Sequence, residues 1–96
     1  MVIGILQVEL TIDGSESLKD KRRVVRRLKD RLHREHQVSV AEVDQLDNRA
    51  IAVLGITMAS NDVAYTQSVL DRILEKLKGE RDCYLSDHNK QILTGH

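Results

Sequence analysis

The chain switches its apolar period from two residues to 3.6 twice, and two strand-like segments lie between the switches. Val2 to Ile12 alternates, with Val2, Leu6, Val8, Leu10 and Ile12 apolar and Gln7, Glu9 and Thr11 pointing the other way. Period two over this length predicts a long strand. Asp13-Gly14-Ser15-Glu16 is turn chemistry. Ser17 stands three residues before Asp20, a helix-start pattern in which each side chain can bond the other's backbone N–H. Leu18, Val25, Leu28 and Leu32 follow at helical spacing, and the pattern carries the helix to about Gln37.

Val38 to Asp44 returns to strand composition, with a slip in the alternation near Ala41 that predicts a bulge. Gln45 to Asn48 reads as a hairpin connection. Arg49 to Ala59 is apolar on both faces, the mark of a central strand. Ser60-Asn61-Asp62 offers helix caps, and Val63, Leu70, Ile73, Leu74 and Leu77 make a second amphipathic helix that stops at Gly79. A last strand starts near Cys83, although its pattern fades before Ile92-Leu93.

The order is βαββαβ. Two right-handed strand–helix–strand units joined by a hairpin give the ferredoxin-like α+β sandwich, a four-stranded antiparallel sheet with both helices on one face. Its competitor is an α+β fold whose last segment lies outside the sheet. At 96 residues, positions 1–96 make a single domain. Twenty-nine Ile, Leu and Val residues, with no Phe or Trp, require an aliphatic core. The expected core is Leu6, Val8, Leu10, Val25, Leu28, Leu32, Leu54, Ile56, Leu70, Ile73 and Leu77.

Function is less legible. No uncharged stretch is long enough to span a bilayer, and the lone Cys83 fits a reducing cytoplasm. With only Tyr65 and Tyr84 as aromatics, base stacking on the sheet face is nearly excluded. His33 and His36 lie one turn apart, but two ligands do not make a zinc site, so neither metal nor cofactor is expected. Glu42, Asp44 and Asp47 are acidic neighbours that read as ion-pair partners. No catalytic constellation emerges, and the chain reads as a non-catalytic binding protein. Lys21 falls inside the apolar stripe of the first helix. Either its stem snorkels to water or its ammonium meets a carboxylate such as Glu42 or Asp47.

The strongest signal is charge. Fifteen basic and fifteen acidic residues cancel overall, yet Lys19 to Arg34 holds nine cations against Asp20 and Asp30. Lys19, Arg22, Arg23, Arg26, Arg27 and Arg34 sweep the arc opposite the apolar stripe and are the candidate nucleic-acid contacts. Such repulsion calls for a bound polyanion, and a stripe of this kind reads backbone and shape rather than sequence. The opposite face of the sheet should carry Ile3, Ile5, Ile51 and Val53 as one apolar patch. A patch of that kind predicts a homo-oligomer, most simply a dimer.

Ser17-Leu18-Lys19-Asp20-Lys21-Arg22, then Ser39-Val40-Ala41-Glu42-Val43, then Asp47 before an apolar strand resemble the YlxP-like family of small bacterial proteins. The resemblance runs from the first strand to the second helix. It implies a ferredoxin-like fold and, through the genes found near those of the family, a role close to the small ribosomal subunit, with ribosomal RNA as a partner. It supplies no activity for Lys21, Glu42 or Asp47. Asn48-Arg49 stand where many relatives have an aromatic.

Overall fold

In the computed structural model, which describes residues 1–95, six elements follow the expected order. They are β1 (Val2–Ile12), α1 (Leu18–Glu35), β2 (Ser39–Asp44), β3 (Ile51–Ser60), α2 (Val63–Lys78) and β4 (Cys83–Thr94). The strands form one antiparallel sheet in the order β2-β3-β1-β4, the ferredoxin-like arrangement. β1 and β3 lie at the centre, where both edges are paired and one face is covered by the helices.

Even-numbered residues of β1 and β3 point at the helices. Leu6, Val8, Leu10, Leu54 and Ile56 are fully buried there with Val25, Leu28 and Leu32 of α1 and Leu70, Ile73 and Leu77 of α2. Every residue of the expected core is in this cluster. The close approach of α2 depends on Gly4: a Cβ there would stand 2.6 Å from Thr66 Cγ2 and 3.2 Å from Leu70 Cδ1.

Local chemistry sets the ends of the elements. Ser17 Oγ accepts the Asp20 N–H at 3.1 Å, as a cap should. The Asp20 carboxylate accepts the Glu16 N–H rather than that of Ser17, so the box closes one residue early. α1 stops at Glu35, two residues short of the expected end, because His36 is already extended. The His36 N–H still reaches Leu32 O, and the His33 ring meets Val38 O at 2.8 Å.

The β2 bulge falls at Val43, two residues beyond the expected slip, where the register with β3 shifts between Glu42 and Asp44. β4 runs to Thr94 and pairs with β1 along its whole length, so the last segment belongs to the sheet. Its pattern fades because β4 is an edge strand whose residues from Ser86 to Asn89 are exposed.

The sheet face away from the helices corrects one expectation. Ile3, Ile5, Ile51 and Val53 do share that face, but they are not one patch. The antiparallel register sets Ile3 beside Ala59 and Ile5 beside Thr57, while Val53 lies beside Glu9 and Ile51 beside Thr11. At about 3.4 Å per residue, Ile5 and Val53 are roughly 14 Å apart along the strands, with the Gln7–Gly55 row between them. Val53 is also only 6% exposed and offers almost no surface to a partner.

Candidate nucleic-acid interface

α1 lies with Lys21, Val25, Leu28 and Leu32 against the sheet, and this fixes where its cations go. Lys19, Arg22, Arg23, Arg26 and Arg34 are exposed and, among the described residues, have no carboxylate partner. Lys29, half-buried, is likewise unpaired. From Lys19 to Arg34 the stripe extends for about 22 Å at 1.5 Å per residue. Lys19, Arg22 and Arg23 sit near the positive end of the helix dipole, where cations are disfavoured and anions welcome.

Arg27 departs from the expected set. Its guanidinium meets Glu80 Oε2 at 3.2 Å and Asp82 Oδ2 at 2.9 Å, tying α1 to the connection before β4. Arg31 joins the same network through Glu80 and through Glu35 at 3.2 Å. These two arginines are committed to the fold, and the free stripe is Lys19, Arg22, Arg23, Arg26, Lys29 and Arg34. Sequence position could not reveal the Arg27 contacts, because Glu80 and Asp82 are more than fifty residues away.

Lys21 is fully buried rather than snorkelling. Its ammonium stands 2.8 Å from Glu42 Oε2 and donates to the carbonyl oxygens of Gln45 at 2.8 Å and Ile51 at 3.2 Å. Leu46 O lies at 3.4 Å. The buried Glu42 oxygen has no other partner, so the ion pair is its whole compensation. Lys21 thus clamps the β2–β3 connection, in which Gln45 holds a left-handed φ of 56°. Asp47 is exposed and takes no part. Lys21 is therefore occupied by the protein itself and unavailable to an outside anion.

At the far end of α1, His36 Nε2 lies 2.9 Å from Lys76 Nζ. Burial pushes the His36 pKa below its usual value, and the charges of Lys76 and Arg72 push it further. The Glu35 carboxyl is held low chiefly by its hydrogen bond to Lys76, with Arg31 assisting. The His33 ring is engaged by Val38 O and that of His36 by Lys76, and among the described residues no three His, Cys, Asp or Glu side chains are grouped to hold a metal. Burial raises the Cys83 thiol to about 11, so it is a protonated core residue at neutral pH.

Charge is divided between the two layers. Glu9 and Asp87 face each other across β1 and β4, and Asp44 flanks Val53 in the same cross-strand row of the open face. The open face therefore carries carboxylates where α1 carries unpaired cations. Among the described residues, no helix is long and apolar enough to cross a membrane.

The fold and this surface define a ferredoxin-like α+β sandwich bearing a cationic helix. Residues 3–90 match the family model described as "Protein of unknown function (DUF503)", and the chain belongs to that family. It is 32% identical over 73 residues to the uncharacterized protein YlxP of Bacillus subtilis (strain 168), covering 76% of this chain and 79% of that one. Among solved structures it is similar to the solution NMR structure of a de novo designed protein with a ferredoxin fold. The TM-score is 0.54 at 18% identity, over 99% of this chain and 88% of that one, a likeness of fold alone.

Proposed function

We propose that the protein is a non-catalytic RNA-binding module whose first helix grips phosphate backbone, with RNA of the small ribosomal subunit as its partner. The observation that carries this reading is selective pairing. Where α1 faces the rest of the protein, its arginines find carboxylates. Where it faces solvent, six cations have none among the described residues. Clustered like charges cost stability unless an anion joins them, and Arg suits bidentate phosphate contact. The stripe offers no base-reading pattern, so affinity should depend on backbone and shape. The ribosomal context rests on the family resemblance.

The test is co-sedimentation with ribosomal subunits at rising salt, using Arg22→Glu/Arg23→Glu/Arg26→Glu. None of the three has a structural partner among the described residues, so the variant should fold normally and stay in the supernatant. Parent-like sedimentation would reduce α1 to a solvated face.

A second reading, an oligomeric interaction scaffold, draws on the sheet end where Ile3 lies between Ala59 and Leu93, the last 45% exposed. A dimeric mass by light scattering at tens of micromolar, reduced by Leu93→Glu, would support it. A monomeric mass would remove it.

A further inference from the structure

The cationic stripe does not end in open solvent at Arg34. Beyond it lies a cleft of about 240 Å³ between the C-terminal end of α1 and the N-terminal half of α2. Its apolar lining includes Met58 and Val69, both nearly buried, and its polar lining includes Arg34, His36, Tyr65 and Arg72. Glu35 also lines it, but that carboxylate is held by Lys76 and Arg31. Tyr65 and Arg72 are seven residues apart, two helical turns, and so fall on one side of α2, off its buried stripe. Tyr65 is 53% exposed, a large ring left in water beside two guanidinium groups.

An aromatic ring and flanking arginines are what an unstacked nucleobase and its phosphates require. His36, with its pKa lowered, is neutral at pH 7 and adds a flat, uncharged ring to the lining. We propose that this cleft is a base subsite: it takes one unpaired base of an RNA strand whose backbone runs along α1, with the base against Tyr65 and a phosphate between Arg34 and Arg72. The inference rests on the reading that α1 binds RNA. It adds that single-stranded RNA is preferred over other polyanions.

The chain has two tyrosines and no tryptophan, which provides a direct readout. Tyr84 is 71% exposed and pairs with Thr11 on the opposite sheet face, so Tyr84→Phe leaves Tyr65 as the only emitter without touching the cleft. Into this protein one titrates an eight-nucleotide oligouridine, uridine monophosphate and inorganic polyphosphate. The oligonucleotide should quench Tyr65 strongly, whereas polyphosphate should bind without quenching. Tyr65→Leu should weaken oligouridine binding about tenfold and leave polyphosphate binding unchanged, and Tyr65→Phe should retain the affinity, because the ring and not the hydroxyl is used.

Salt-dependent oligouridine binding with Tyr65 emission unchanged, and no loss in Tyr65→Leu, would overturn the subsite while sparing α1. Quenching by the mononucleotide at equal concentration, insensitive to Arg22→Glu/Arg23→Glu/Arg26→Glu, would overturn the RNA assignment in favour of a free nucleotide. No binding of either polyanion would overturn both readings.

Discussion

Lys21→Met tests the clamp on the β2–β3 connection. Methionine matches the lysine stem, so apolar packing against the sheet changes little. What is lost is an ammonium that meets the Glu42 carboxylate at 2.8 Å and the Gln45 and Ile51 carbonyls at 2.8 and 3.2 Å. Removing one partner of a buried ion pair costs about 3–5 kcal/mol, because the other charge is left uncompensated. Here the Glu42 side chain is 16% exposed and can recover some water, and Gln45 O keeps the Asn48 N–H at 3.0 Å. Both facts favour the low end, about 3 kcal/mol. For a domain of this size that lowers the melting temperature by about 12–24 °C. Urea unfolding followed by far-ultraviolet circular dichroism measures it. Adding Glu42→Leu should restore about 1–2 kcal/mol, since replacing both ions by apolar groups removes the orphaned charge while the carbonyls of Gln45 and Ile51 still lack the ammonium. A loss under 1 kcal/mol in the single variant, or a double variant no more stable than the single, would refute the clamp.

Two further outcomes follow from the packing and the charges. Gly4→Ala places a methyl 2.6 Å from Thr66 Cγ2, so α2 must shift, and chemical denaturation should show a loss of about 1–3 kcal/mol. His36 has its folded pKa below the unfolded value, so the unfolded chain takes up its proton first and stability falls as pH drops below about 6.5. His36→Gln should flatten unfolding midpoints measured from pH 7.5 to 5.5, and an unchanged slope would show that another group is responsible.

Much of this architecture could be read from periodicity. The alternation in β1 and the Leu18–Leu32 stripe named the core residues correctly, because burial on one face imposes a period that survives in the sequence. Lys21 stood out for the same reason: a charge inside that stripe needs compensation, and Glu42 was one of two carboxylates in reach. Its backbone acceptors were invisible, since carbonyl positions depend on the hairpin and not on residue type.

Register was the main blind spot. Period two assigned Ile3, Ile5, Ile51 and Val53 to one face, but only the Ile5–Thr57 and Val53–Glu9 alignments show that they lie at opposite ends. Arg27 looked as free as Arg26 because both leave the apolar stripe, and only the folded chain brings Glu80 and Asp82 to it. The Tyr65–Arg72 cleft did leave a signal: an aromatic off the apolar stripe of α2 with an arginine two turns on. Its meaning appears only when α1 ends beside it.

The central claim is that the unpaired cations of α1 bind RNA phosphates, and the salt dependence of affinity tests it most directly. Each single-strand phosphate contact contributes roughly 0.7 to the slope of log affinity against log salt, so six contacts give a slope near −4. Fluorescence anisotropy with a labelled RNA from 50 to 200 mM salt should therefore show affinity falling by about 300-fold. Arg22→Glu/Arg23→Glu/Arg26→Glu should flatten the slope by about 2, whereas Arg49→Glu/Lys78→Glu/Lys90→Glu, with the same net charge but an intact stripe, should keep it. Equal slopes in the two variants would mean that net charge and not the first helix governs binding, and the account would be contradicted.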